Sequence, residues 1–135
     1  MATKKSYSIK PYIVRKLITC YADNSVFEAC NLMAEHNIGT IIIVDKTDKK
    51  KVLGIFTERD LVKNVIAAKI AMNETLDKVM TKKIVSADCD SSESKISYLM
   101  TKNKVKKIII TKDDNLYGII TQTDMIKILS DKWLI

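Results

Sequence analysis

The chain repeats itself, and that repeat limits its possible folds more than any other feature. The stretch "LITCYADNSVFEACNLMAEHNIGTIIIV" laid over "IVSADCDSSESKISYLMTKNKVKKIIIT" pairs Leu17 with Ile84, Leu32-Met33 with Leu99-Met100, and Ile41–Ile43 with Ile108–Ile110, always 67 residues apart. The heptapeptides "GIFTERD" (Gly54–Asp60) and "GIITQTD" (Gly118–Asp124) recur 64 apart, because the connection "DKTDKKKVL" is three residues longer than its counterpart "KDDNLY". Such an insertion belongs in a surface hairpin. Two units, residues 10–68 and 77–130, are thus joined by the short stretch "KIAMNETL". One unit of about 55 residues buries too little surface to be stable alone, so the copies are expected to pack together about a pseudo-twofold axis, with clefts between them.

Each unit reads as strand, helix, strand, strand, helix, a mixed α/β (α+β) arrangement. A short apolar segment, Leu17–Thr19 or Ile84–Ser86, precedes a polar corner and a helix. Ser25 and Glu28 have capping-box spacing, and Asp90 and Glu93 are expected to play similar parts in the second copy. Val26, Ala29, Leu32 and Met33, and likewise Ile96, Leu99 and Met100, form an apolar helical stripe. The runs "TIIIV" and "KIIIT" are β-branched and too short for helices, so they read as covered strands. "VLGIFT" and "LYGIIT" should pair back as hairpins, and helices begin at "ERDLVKNVIAA" and "QTDMIKILSD". The crossover makes the first two strands parallel, and the hairpin adds the third antiparallel.

The doubled Gly-x-x-Thr-x-x-Asp corner admits two readings. Threonine before a helix is an ordinary N-cap, and an acid three residues later is its ordinary partner, so Thr57/Asp60 and Thr121/Asp124 can simply start two helices. Yet glycine inside a strand marks close approach of a backbone or ligand, and a helix N-terminus beyond it suits a phosphate. A carboxylate can accept both hydroxyls of a ribose, while a threonine hydroxyl can serve ribose or phosphate. That combination matches a ribonucleotide.

The paired units, "EACNLMAEHNIGTIIIVD…VLGIFTERDLV" and "SKISYLMTKNKVKKIIITKDDNLYGIITQTDMI", resemble two CBS (cystathionine β-synthase type) domains forming a Bateman module over almost the whole chain. The resemblance implies βαββα units, a pseudo-twofold pair, frequent homodimerisation, and adenosine-containing ligands in the interdomain clefts. It implies that Asp60 and Asp124 hold ribose hydroxyls and that Thr57 and Thr121 sit at ribose or phosphate. Adenine would lie against Ile18, Thr19, Ile38 and Gly39 in copy one, and against Val85, Ser86, Val105 and Lys106 in copy two. Where the family often opens its second strand with proline, this chain has Ile42 and Ile109. Arg59 adds a cation to the first motif where the second has Thr123, and Lys106 and Lys107 replace Gly39 and Thr40. Unequal affinities are therefore expected, with at least one cleft holding AMP, ADP or ATP in preference to S-adenosylmethionine. For Arg59 a solvent-facing charge is the competing reading, and for Lys106 and Lys107 an edge-strand gatekeeper.

Composition narrows the rest. A net charge of +7 favours anionic partners, but the cations are nearly all lysine, with Arg15 and Arg59 the two arginines, so nucleic-acid binding ranks second. His36 has no partnered nucleophile and no GxxxxGK[ST] loop occurs, so neither catalysis nor a catalytic cofactor is expected. Cys20, Cys30 and Cys89, an odd set without CxxC, read as reduced core thiols with no metal site. No apolar run spans a membrane and "MATKKSYSIK" lacks a signal-peptide core, which reads as cytoplasmic. Trp133, Leu134 and Ile135 suggest a folded-back tail or a subunit interface. The expected role is a stand-alone regulatory nucleotide sensor, binding at about micromolar strength and acting through a separate protein.

Overall fold

The computed structural model of the protein describes residues 6–133, and of Trp133 only the backbone, so the apolar tail lies outside the described side chains. The chain forms two compact units, residues 18–84 and residues 6–17 together with 85–133. In the first unit the elements are β1 (Thr19–Tyr21), α1 (Val26–His36), β2 (Thr40–Val44), β3 (Val52–Thr57) and α2, which begins as Glu58–Asp60 and widens into π turns over Leu61–Ile66. The second contains β4 (Ser86–Asp88), α3 (Glu93–Asn103), β5 (Lys107–Lys112), β6 (Asn115–Thr121) and α4 (Gln122–Trp133).

Each unit holds a three-stranded sheet with the isoleucine run in the middle. β1 lies parallel to β2, Thr19 opposite Ile42, and β3 returns antiparallel, Thr57 opposite Thr40. β4, β5 and β6 repeat this, with Ser86 opposite Ile109 and Thr121 opposite Lys107. All five residues of β2 are buried, which explains a strand without polar alternation. The first strands start two residues later than the apolar segments imply, at Thr19 and Ser86, with Ile18 and Val85 just before them each giving one carbonyl to the central strand.

The polar corners differ in detail from expectation. Ser25 caps α1 by accepting the Glu28 N–H at 3.0 Å, but the Glu28 carboxylate accepts from the Asn24 amide instead of closing a capping box. In the second unit the cap is Ser92, accepting from Lys95 N–H at 3.3 Å, and not Asp90. Asp90 instead pairs with Lys10 at 2.7 Å, while its own N–H goes to Asp88. A serine two residues nearer the helix thus displaces the acid from the cap. The hairpin of β5 and β6 turns on Asp113 and Asp114, both with positive φ (52° and 62°), the two-residue turn that suits the twist of paired strands. The longer first hairpin folds around Asp45, whose Oδ1 accepts from Thr47 N–H, Thr47 hydroxyl and Asp48 N–H.

The compact units are not cut where the sequence repeats. Residues 6–17 join the second repeat, and residues 69–84 stay with the first. Val14 exchanges two hydrogen bonds with Ile119 of β6 (2.8 and 3.0 Å), and Thr81 does the same with Ile55 of β3 (both 2.9 Å). The outer edge of each hairpin is therefore paired and not left as a row of open amides. Ile9 and Leu76, both fully buried, anchor these segments in the two cores, each worth about 1.5–3 kcal/mol by area removed from water. Around them pack Ile96, Ile108, Ile110, Ile120 and Ile128 in one unit, and Val26, Met33, Ile41, Ile43 and Phe56 in the other.

Candidate functional site

Both strand-to-helix corners form complete capping boxes in hydrogen-bond terms. Thr57 Oγ1 accepts from Asp60 N–H at 3.1 Å, while Asp60 Oδ2 accepts from Thr57 N–H at 2.9 Å and from the Thr57 hydroxyl at 3.1 Å. The second corner repeats this between Thr121 and Asp124, at 3.2, 2.9 and 2.9 Å. A backbone bond seats each helix beside the entrance of the central strand: Glu58 N–H to Gly39 O at 3.1 Å, and Gln122 N–H to Lys106 O at 2.8 Å. The two first-turn amides at each corner thus already have acceptors, which reduces the positive N-terminus open to a phosphate.

The glycines have a backbone explanation. A β-carbon on Gly54 would lie 2.8 Å from Thr81 O and 2.9 Å from Met80 Sδ, and one on Gly118 would lie 2.6 Å from Val14 O. The strand glycine makes room for the segment that pairs with the sheet edge, not for a ligand.

Other candidate side chains gather at the same end of each sheet without forming one continuous wall. Ile18 is half-buried and its carbonyl accepts from Ile42 N–H at 3.5 Å, while Thr19 in β1 is exposed. Ile38 and Gly39, half-buried, line an open pocket of about 310 Å³ between α1 and Glu58, with Cys30 and Met33 on its wall. That volume is at the lower bound for a small-molecule site. Burial pushes the Cys30 thiol above its ordinary pKa. In the second unit Val85 and Val105 are half-buried, Ser86 and Lys106 are exposed, and Lys107 opens β5 half-buried. Arg59 is exposed in the first turn of α2.

Two participants are not evident from the motif. Asp60 Oδ1 accepts from Asn64 Nδ2 at 3.1 Å and from the Thr81 hydroxyl at 2.8 Å, and Asn64 also donates to Val79 O at 3.1 Å. Asn64 follows Asp60 by one helical turn, so its role was readable from spacing; Thr81 comes from a distant segment and was not. Asp88, Cys89 and Asp90 bring three ligand-type atoms within 4.8 Å, but Lys10 already sits on Asp90, and Asp88 accepts the Asp90 N–H.

The sequence profile described as "CBS domain" matches twice, over residues 9–67 and 76–131. The chain belongs to the CBS domain family. Its two CBS repeats are 35% identical over 117 residues to the uncharacterized protein YlbB of Bacillus subtilis, covering 87% of this chain and 78% of that one. They are also 35% identical over 127 residues to inosine-5'-monophosphate dehydrogenase of Methanocaldococcus jannaschii, covering 93% of this chain but only 24% of that enzyme. Among solved structures, the CBS domain pair of protein MJ0100 in complex with 5'-methylthioadenosine and S-adenosyl-L-methionine superposes with a TM-score of 0.83 at 25% identity, over 95% of this chain and 99% of that one. The mixed α+β fold with two three-stranded sheets is that of these CBS pairs. No helix among the described residues is long and apolar enough to cross a membrane.

Proposed function

We propose that this CBS pair is a regulatory module without chemistry of its own that binds an adenosine nucleotide, AMP, ADP or ATP, and acts through a separate protein. The observation that carries the reading is the doubled corner, where a carboxylate less than a tenth exposed, Asp60 or Asp124, stands at a helix start beside the entrance of the central strand. A carboxylate so placed suits the vicinal hydroxyls of a ribose, and the complex of MJ0100 with two adenosine derivatives supports that class of ligand. Thr57 and Thr121 would serve ribose or phosphate, with Arg59, Lys106 and Lys107 offering cations. Ile18, Thr19, Ile38, Gly39, Val85, Ser86 and Val105 would face the base.

Ligand occupancy shifts a regulatory state only as far as the ligand prefers one arrangement of the chain. Homodimerisation is part of the proposal. Val62 and Ile126, at matching positions of the two motif helices and 57% and 59% exposed, are apolar side chains such an interface would cover. Titration calorimetry of nucleotide-free protein with AMP, ADP, ATP, S-adenosylmethionine and GMP tests the reading. Adenosine ligands at about micromolar Kd, with GMP much weaker, are expected; no binding by any of the five would sink it. The charge of +7 favours a polyanion as second reading. Nucleic-acid binding that collapses with salt and ignores AMP would favour it.

A further inference from the structure

The two aspartates are equivalent by sequence and unequal by structure. Asp60 uses both carboxylate oxygens inside its own unit: Oδ2 on Thr57, Oδ1 on Asn64 and Thr81. Asp124 uses only Oδ2, on Thr121, and its Oδ1 has no hydrogen-bond partner among the described residues although the residue is only 8% exposed. The cause lies in two substitutions between the repeats. The position matching Asn64 is Ile128, an apolar core residue with no exposure. The position matching Thr81, set by the paired bridges Ile55–Thr81 and Ile119–Val14, is Val14, which has no hydroxyl to donate. Asp124 Oδ1 is thus the accessible oxygen of a mostly buried carboxylate, open to a ligand donor without breaking a bond inside the protein.

The surrounding charges point the same way. Where the first corner has Gly39 and the carboxylate of Glu58, the second has Lys106 and the neutral Gln122, and the helix before it ends on Lys104 where the first ends on Asn37. Arg59, beside Glu58 in the first corner, offsets that carboxylate where the second corner has the neutral Thr123, so the second corner with Lys104 and Lys106 attracts an anionic ligand more strongly than the first.

We propose that ribose recognition belongs to the second repeat alone: Asp124 is the ligand carboxylate, and Asn64 and Thr81 are positioning residues that withdraw Asp60 to hold residues 79–81 on the first repeat. This rests on the adenosine reading above and adds to it a stoichiometry of one nucleotide per chain. Opening Asp60 to a ribose would break its bonds to both Asn64 and Thr81 and loosen the edge-pairing segment, which its backbone bonds to Ile55 would still hold.

Calorimetry with AMP, and with uncharged adenosine to separate ribose from phosphate recognition, reads the proposal directly. The wild type should bind one AMP per chain, and Asp124→Asn should weaken both probes at least about tenfold, the loss of one hydrogen bond to a charged group. The double variant Asn64→Ile with Thr81→Val, which copies the second repeat into the first, should gain a second site for adenosine. Adding Asp60→Asn to that variant should remove the second site again. A purely structural role for Asn64 and Thr81 cannot produce a gain of binding. Two equivalent sites in the wild type, or a folded double variant that still binds one adenosine, would overturn the proposal.

If the wild type binds neither probe, the adenosine reading has failed, and its ribose assignment with it. The hold on residues 79–81 is then tested by amide exchange. Thr81→Val should raise exchange at Ile55 and Thr81 about tenfold or more, the effect of losing one such bond. Unchanged exchange would overturn it.

Discussion

Asp60→Ala and Asp124→Ala make the same chemical change at matching positions of the two repeats, and they should differ in cost. At Asp124 the loss is the carboxylate half of a capping box, which leaves the Thr121 N–H and hydroxyl to find other acceptors. Loss of a cap costs about 0.5–2 kcal/mol, so about 1–2 kcal/mol is expected. At Asp60 the same loss is joined by the bonds from Asn64 and Thr81. Hydrogen bonds to charged groups are worth about 1.5–3 kcal/mol each, but Asn64 is exposed and water will replace part of what it loses, so about 1 kcal/mol apiece is reasonable. Asp60→Ala should therefore cost about 3–4 kcal/mol, about twice the cost of Asp124→Ala. Because the two aspartates lie in different compact units, native-state hydrogen exchange can read each loss in the core amides of its own unit, Ile41–Ile43 for one and Ile108–Ile110 for the other. Equal losses in the two units, or a larger loss at Asp124, would refute the account of how Asp60 is held.

Gly118→Ala places a β-carbon 2.6 Å from Val14 O, so it should break the paired Val14–Ile119 bonds and cost about 2–3 kcal/mol in urea denaturation; a change below about 0.5 kcal/mol would contradict the packing. Ser92→Ala should destabilise the chain by about 1 kcal/mol as a lost helix cap, whereas Asp90→Asn should leave the helix cap untouched in the same assay. The exposed pair Lys10–Asp90 holds the Asp90 carboxyl below its ordinary pKa and the Lys10 ammonium above its own, through their mutual hydrogen bond and charge. Asp90's contribution is complete above about pH 4 and lost as pH falls through its depressed value, while Lys10's is complete below about pH 10 and lost as pH rises through its raised one. A stability difference between wild type and Asp90→Asn that does not shrink as pH falls below about 4, or is unaffected by salt, would contradict that assignment.

Periodicity and the doubled motif were enough to read the element order, the parallel crossover and both hairpins, because each rests on local patterning that the sheets then bury. The β-branched runs Thr40–Val44 and Lys107–Thr111 were legible for the same reason, the second strand reaching one residue further to Lys112. The destination of the crossing segments was not legible. Whether Val14 pairs with its own repeat or the other is decided by contacts between residues about a hundred positions apart, and local sequence carries no trace of them. The glycine of the motif left its neighbour open for a related reason: a strand glycine announces close approach of a backbone or a ligand but not which, and here it is backbone. At the corners, a capping box and a ribose-reading carboxylate call for the same residues at the same spacing, so sequence alone could not separate them. The distinction rests on Asn64, Thr81, Val14 and Ile128, of which only Asn64 and Ile128 lie near the motif.

The central claim is that a strand-to-helix corner of this CBS pair receives the ribose of an adenosine nucleotide. An amide NMR titration of the isotope-labelled chain with AMP tests it most directly. Saturable shifts centred on Thr121–Asp124 and on Val105-Lys106, which weaken but persist as salt is added, are the predicted result. Shifts confined to the lysine-rich hairpin at residues 45–51 that vanish with salt, or none at all, would contradict it.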